Sequence, residues 1–178
     1  LEFFPSFDPD LVAGVGTYTA ELISAVPDLD AIYVPIGLGS GICGAISARD
    51  ALGSKTDVIG VVAEGAASYA LSYKARKPVP TNAADTFADG LAVRIPDARA
   101  LEVILAGAAR IVTVSESEMK AAVSHYYTDT HNLAEGAGAA SLAGLLQEKE
   151  AMVGRKVGLV LSGGNIDRDL YMGILGGS

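Results

Sequence analysis

The residues with the clearest chemical potential are the glycines of Pro35-Ile36-Gly37-Leu38-Gly39-Ser40-Gly41-Ile42-Cys43-Gly44. They follow an apolar run, Ala31-Ile32-Tyr33-Val34, and lead into residues 45–52, which read as helix. A strand that delivers a glycine-rich turn to a helix N-terminus makes an anion site. Glycine lets the backbone approach closely, the first helical N–H groups lack an intrahelical partner, and the helix dipole favours negative charge. The expectation is a phosphate cradle.

Three readings of that turn are open. Residues 39–44 spell G-x-G-x-x-G, and a second apolar run, Val58-Ile59-Gly60-Val61-Val62-Ala63, ends at Glu64, where a dinucleotide fold places its ribose carboxylate. Residues 35–41 equally suit the phosphate loop of a pyridoxal phosphate enzyme, whose donors would be the main-chain N–H groups of Gly37, Leu38, Gly39, Ser40 and Gly41. The third reading is a tight βα connection with no ligand. Cys43 reads as a small core filler rather than a nucleophile. His125 and His131 read as structural, with no cysteine or carboxylate at ligand spacing.

The elements that must position these residues follow from punctuation and hydrophobic pattern. Asp10 is expected to cap a short turn, Thr17 to cap a helix over residues 20–26, and Pro27 to stop it. Residues 67–74 read as helix, and Pro96 opens another over residues 98–106. Arg110-Ile111-Val112-Thr113-Val114 is a third strand. Ser115 and Glu118 form a capping box for the helix that follows. A helix begins near Glu135, residues 156–161 form a fourth strand, and a last short helix covers residues 169–175. The strands are near-continuous apolar runs, which predicts an α/β fold with a parallel sheet covered by helices on both faces, and ligands at the strands' carboxyl ends.

Composition bounds the function classes. The 178 residues suit one domain, half of them are hydrophobic, and the net charge is −8. The acidic balance argues against nucleic acid. No apolar run approaches the ~20 residues of a membrane span. A single cysteine excludes an intrachain disulfide and suits a reducing, cytoplasmic compartment. The opening residues Leu1-Glu2-Phe3-Phe4 lack a basic n-region, and the irregular start through Phe4-Pro5-Ser6-Phe7 suggests a piece of something longer.

Four segments then fall into a fixed order: residues 35–41, Ala88-Asp89-Gly90-Leu91-Ala92, Glu135-Gly136-Ala137-Gly138-Ala139 and Leu161-Ser162-Gly163-Gly164-Asn165. Together with Phe7-Asp8-Pro9-Asp10 and Gly14-Val15-Gly16-Thr17, they resemble the threonine/serine dehydratase family, pyridoxal 5'-phosphate enzymes of fold type II related to serine racemase. The resemblance covers essentially the whole chain. It implies that residues 1–178 are the C-terminal portion of the large domain. It also implies main-chain donors at 37–41 on the cofactor phosphate, Ser162 Oγ on the pyridine nitrogen, Gly90 passing close to the ring, and Glu135 near the ring on the substrate side. A hydroxyl at the ring nitrogen, where other enzymes place an Asp, makes the ring a moderate electron sink and suits elimination from Cβ. A helix cap is the competing reading of Ser162. The substrate implied is a small 3-hydroxy amino acid, the assembly a homo-oligomer (dimer or tetramer).

Departures from the family pattern are visible. Leu38 and Ser40 intrude in a loop that the family makes almost wholly of glycine, a change the donors survive if neither residue needs positive φ. Some relatives bind a divalent cation through a Glu and a later Asp. Here Glu64 matches, but Ala70 stands where the Asp would be, so no metal is expected. The family's Schiff-base lysine, in Ser-Phe-Lys-x-Arg-Gly, and its Ser-x-Gly-Asn-His carboxylate loop are both missing, so no catalytic residue is assigned in this chain. The small domain and first strands are therefore expected to be absent, and the chain inactive alone. The ending at Gly176-Gly177-Ser178 suggests a member without a regulatory domain. Rival readings are a racemase of the same fold, an NAD-type dehydrogenase, and a non-catalytic binding domain.

Overall fold

The computed structural model describes residues 7–177; the expectations placed on Leu1, Glu2, Phe3, Phe4, Pro5 and Ser6 lie outside them. The elements run α1 (Pro9–Val15), α2 (Thr17–Ala25), β1 (Ala31–Pro35), α3 (Ser40–Ala51), β2 (Asp57–Ala63), α4 (Ser68–Ala75), α5 (Ala98–Gly107), β3 (Arg110–Val114), α6 (Glu116–Thr130), α7 (Gly136–Gln147), β4 (Val157–Leu159) and α8 (Arg168–Gly176). Short 3-10 turns lie at Glu64–Ala66, Asp89–Leu91 and Lys149–Met152.

Among the described residues, four strands form one parallel sheet in the order β3-β2-β1-β4. The central strands β1 and β2 are buried on both faces, which explains their unbroken apolar runs. One core layer holds Tyr33, Ile59, Val61, Met119 and the alanines of α7. The layer on the opposite face holds Ile32, Val34, Val58, Ile42, Ile46 and Ile104. The alternation of strand residues between these layers is the pleat itself.

Two caps differ from expectation. Asp8, not Asp10, caps α1: its Oδ1 accepts the Asp10 N–H at 2.9 Å, and Pro9 occupies the first helical position, where a missing N–H costs nothing. Thr17 is the first residue of α2 rather than its cap, and its Oγ1 donates to Gly14 O at 2.7 Å. The cap is Gly16, because α1 and α2 meet there directly. A Cβ on Gly16 would lie 2.9 Å from Gly44 O, so this corner packs backbone to backbone on α3. The last strand is also shorter than residues 156–161, since only Val157–Leu159 pair with β1. The Ser115–Glu118 capping box forms as expected.

Candidate active site

The loop between β1 and α3 is held open by geometry that the sequence permits. Gly39 caps α3 with φ +104°, a conformation natural to glycine alone. Among the described residues the only non-glycine positive φ values belong to Arg76 and His131, so Leu38 and Ser40 sit in ordinary backbone. Ser40 and Gly41 are already the first residues of α3. The Cys43 N–H donates to Gly39 O at 3.0 Å and closes the first turn, while the N–H groups of residues 37–41 find no acceptor among the described residues. That is a main-chain nest at a helix N-terminus. Tyr69 fixes it from beneath: its hydroxyl donates to Leu38 O at 2.7 Å and accepts the Asp97 N–H at 3.0 Å. Burial pushes this phenol up to about 12, so it remains a donor at neutral pH.

Across from the nest, Gly90 and the start of α7 form the other wall. A Cβ on Gly37 would lie 2.2 Å from Gly90 O, so the loop and the 3-10 turn touch through bare backbone. A Cβ on Gly90 would meet the Ala137 Cβ at 2.9 Å, so packing against α7 already demands glycine there. Glu135 is the residue before α7, and its N–H donates to Gly163 O at 3.1 Å. A Cβ on Gly163 would come within 2.6 Å of Glu135 Oε1, and one on Gly138 within 2.3 Å of Gly163 O. These glycines seat the 162–165 loop on the head of α7. No helix follows Ser162 directly; α8 starts at Arg168 with Asp167 as its cap position, which removes the helix-cap reading of Ser162.

Residues 37–41, Gly90, Glu135 and Ser162 all line one cleft of about 1240 Å³. Val34, Pro35 and Leu159 also line it, which places it at the carboxyl ends of β1 and β4. Its charged lining is Asp89, Glu135 and Arg94, with no lysine among the described residues. Glu64 is exposed and outside the cleft, so a dinucleotide in the nest would lack its ribose carboxylate. Among the described residues no three His, Cys, Asp or Glu side chains gather to hold a metal ion. Cys43 is buried core, its Sγ 3.6 Å from Ala100 O, and burial pushes its thiol up to about 12. His125 is corrected in one respect: a carboxylate does stand at i+4, and its Nδ1 lies 3.2 Å from Asp129 Oδ2, on the exposed face of α6.

Three residues of the cleft and its support escaped the sequence reading: Tyr18 and Arg94 in its lining, and Tyr69 under the loop. Tyr18 reaches Gly41 across 23 residues and Tyr69 reaches Leu38 across 31, distances at which no linear pattern signals a contact.

Comparison with known proteins gives a consistent result. Residues 3–163 match the family model described as "Pyridoxal-phosphate dependent enzyme". The chain is 34% identical to the L-threonine ammonia-lyase of Thermotoga maritima, over 92% of this chain and 40% of that protein. It is 32% identical to the L-threo-3-hydroxyaspartate ammonia-lyase of Saccharomyces cerevisiae, over 97% of this chain and 53% of that protein. The processed form of threonine deaminase isoform 2 from Solanum lycopersicum superposes with a TM-score of 0.92 at 29% identity, over 98% of this chain and 52% of that one. The chain thus spans about half the length of the relatives it matches.

Proposed function

Because the chain belongs to the family of pyridoxal-phosphate-dependent enzymes, we propose that it is the phosphate-binding part of an ammonia-lyase acting on a small 3-hydroxy amino acid, releasing a 2-oxo acid and ammonia. The observation that carries this is the joint placement of the nest, Gly90, Glu135 and Ser162 on one cleft. The cleft fits a flat ring bearing a phosphate. The nest offers five unspent N–H donors at one end, Gly90 presents no side chain, and the exposed Ser162 stands at another wall. Bound there, the cofactor supplies an electron-withdrawing ring that stabilises negative charge at the substrate Cα.

The chain's own residues supply positioning and electrostatics. The N–H groups of residues 37–41 hold the phosphate dianion with the α3 dipole behind them. Ser162 would offer a neutral hydroxyl to the ring nitrogen, which stabilises a protonated ring less than a carboxylate there would. Glu135 lines the cleft on the substrate side. On this reading the family's Schiff-base lysine takes the proton at Cα; no lysine lines this cleft among the described residues, so a longer polypeptide supplies it, with the chain as the C-terminal part of its large domain. The same reading extends to a cytoplasmic homo-oligomer. A free, buried Cys43 is consistent with a reducing compartment.

The test is an assay of the full-length polypeptide with pyridoxal phosphate and, separately, L-threonine, L-serine and L-threo-3-hydroxyaspartate, measuring 2-oxo acid and ammonia. Turnover of at least one is expected. Inversion at Cα with no oxo acid would replace the lyase reading with a racemase, and no reaction with any of the three would remove it.

A further inference from the structure

Tyr18 is the second residue of α2, and its side chain lines the cleft beside residues 37–41. Its hydroxyl lies 3.4 Å from Gly41 O, and a Cβ built on Gly41 would stand 3.6 Å from the Tyr18 hydroxyl oxygen. The phenol is therefore seated against the first turn of α3, at the carbonyl oxygen of the residue that supplies the last N–H of the nest. A separation of 3.4 Å is well outside the ~2.5–3.0 Å of an O–H···O hydrogen bond, so Gly41 O holds the hydroxyl hydrogen only weakly. Burial, partly offset by the neighbouring Thr19 side chain, pushes the phenol up from its ordinary value, which keeps it protonated and neutral at physiological pH. A half-buried, protonated hydroxyl whose hydrogen is weakly held, lining the same cleft as a nest of anion donors, has the chemistry to donate to an anion there.

We propose that Tyr18 is a side-chain ligand of the phosphate group, donating its hydroxyl hydrogen to the anion held by the main-chain nest. The assignment rests on the reading of residues 37–41 as a phosphate site. It adds one charge-assisted bond to a set otherwise made of backbone N–H groups. It also gives α2 a chemical role in the cleft, which α2 otherwise lines only as wall.

The experiment compares pyridoxal phosphate with pyridoxal, which lacks the phosphate, on cofactor-free full-length polypeptide. Dissociation constants are read from cofactor absorbance for the wild type and for Tyr18→Phe, which keeps the ring and its packing. The expected result is that Tyr18→Phe weakens pyridoxal phosphate about ten-fold, the usual scale for one hydrogen bond to a charged group, and leaves pyridoxal unchanged. The ³¹P resonance of the bound cofactor should move in the same variant. Equal affinity for pyridoxal phosphate in both proteins, with an unmoved resonance, overturns the proposal while leaving the nest intact. So does an equal loss for both ligands, which marks Tyr18 as wall. A wild type that binds pyridoxal phosphate no tighter than pyridoxal overturns the nest itself and Tyr18 with it.

Discussion

Gly39 and Gly53 both hold left-handed backbone, with φ +104° and +61°, yet their surroundings differ. A Cβ on Gly39 would lie 2.7 Å from the Ala100 Cβ and 3.2 Å from the Tyr69 hydroxyl, whereas nothing lies within 4 Å of one on Gly53. Alanine at 53 should therefore cost only the conformational penalty, about 1 kcal/mol. Alanine at 39 adds overpacking against α5 and should cost roughly 2–4 kcal/mol. It should also displace Leu38 and the nest from Tyr69. Urea unfolding of both variants checks the contrast; equal losses would show that Gly39 is needed for backbone freedom alone. The same distinction applies at Gly37, Gly90 and Gly163, where the close neighbour is the other wall of the cleft rather than solvent.

Helix α6 shows how one element is specified locally and then used at a distance. Ser115 accepts the Glu118 N–H at 3.3 Å, and Glu118 Oε2 accepts the Ser115 N–H at 2.7 Å. That second bond is the first cause holding the Glu118 carboxyl below its ordinary value. The box fixes where a 15-residue helix begins. Its buried face, Met119, Ala122, Val123 and Tyr126, packs against α7, whose head carries Glu135. Ser115→Ala should lower stability by about 1 kcal/mol and leave cofactor affinity unchanged, since α6 contributes no residue to the cleft lining. Thermal unfolding with a parallel cofactor titration checks this. A loss of affinity larger than the loss of stability would mean that α6 positions Glu135 directly.

The whole molecule is tied together by a polar clamp among apolar layers. Tyr33, fully buried in β1, donates to Glu148 Oε2 at 2.6 Å, while Arg110 at the start of β3 donates to both Glu148 oxygens at 2.8 Å. Glu148 caps the end of α7, where the helix dipole alone would disfavour a carboxylate. The Arg110 guanidinium, then the Tyr33 hydroxyl, holds its carboxyl below the ordinary Glu value, and burial with the facing carboxylate pushes the Tyr33 phenol up to about 12. The native state thus releases the Glu148 proton at lower pH than the unfolded chain does. Its contribution is full above the unfolded value near 4.5 and is lost as pH falls below it through the lowered native value. Glu148→Gln keeps an acceptor for Tyr33 but removes the charge, and should cost about 1–2 kcal/mol at pH 7. The difference from wild type should shrink as pH falls below 4.5 through the lowered native value. Denaturant unfolding as a function of pH checks it; a gap that does not change with pH would assign the effect to packing.

The strand runs, the alternation of strand and helix, the capping box at Ser115 and the glycine turn before α3 were all legible in the sequence, because each depends on residues within a few positions of one another. The same locality explains the misplaced caps: Asp8 and Asp10 offer the same chemistry two residues apart, and only the abutment of α1 on α2 at Gly16 left Thr17 inside a helix. The linear order also carried the nest, Gly90, Glu135 and Ser162 as separate motifs, though not the cleft they share. That cleft arises because β4 adds beside β1 and the 162–165 loop seats on α7, so segments more than a hundred residues apart meet at one end of the sheet. Tertiary packing alone also chose which tyrosines matter. The hydroxyls of Tyr18 and Tyr69 come against the loop only when α2 and α4 fold onto it, a long-range condition that no spacing in the chain encodes.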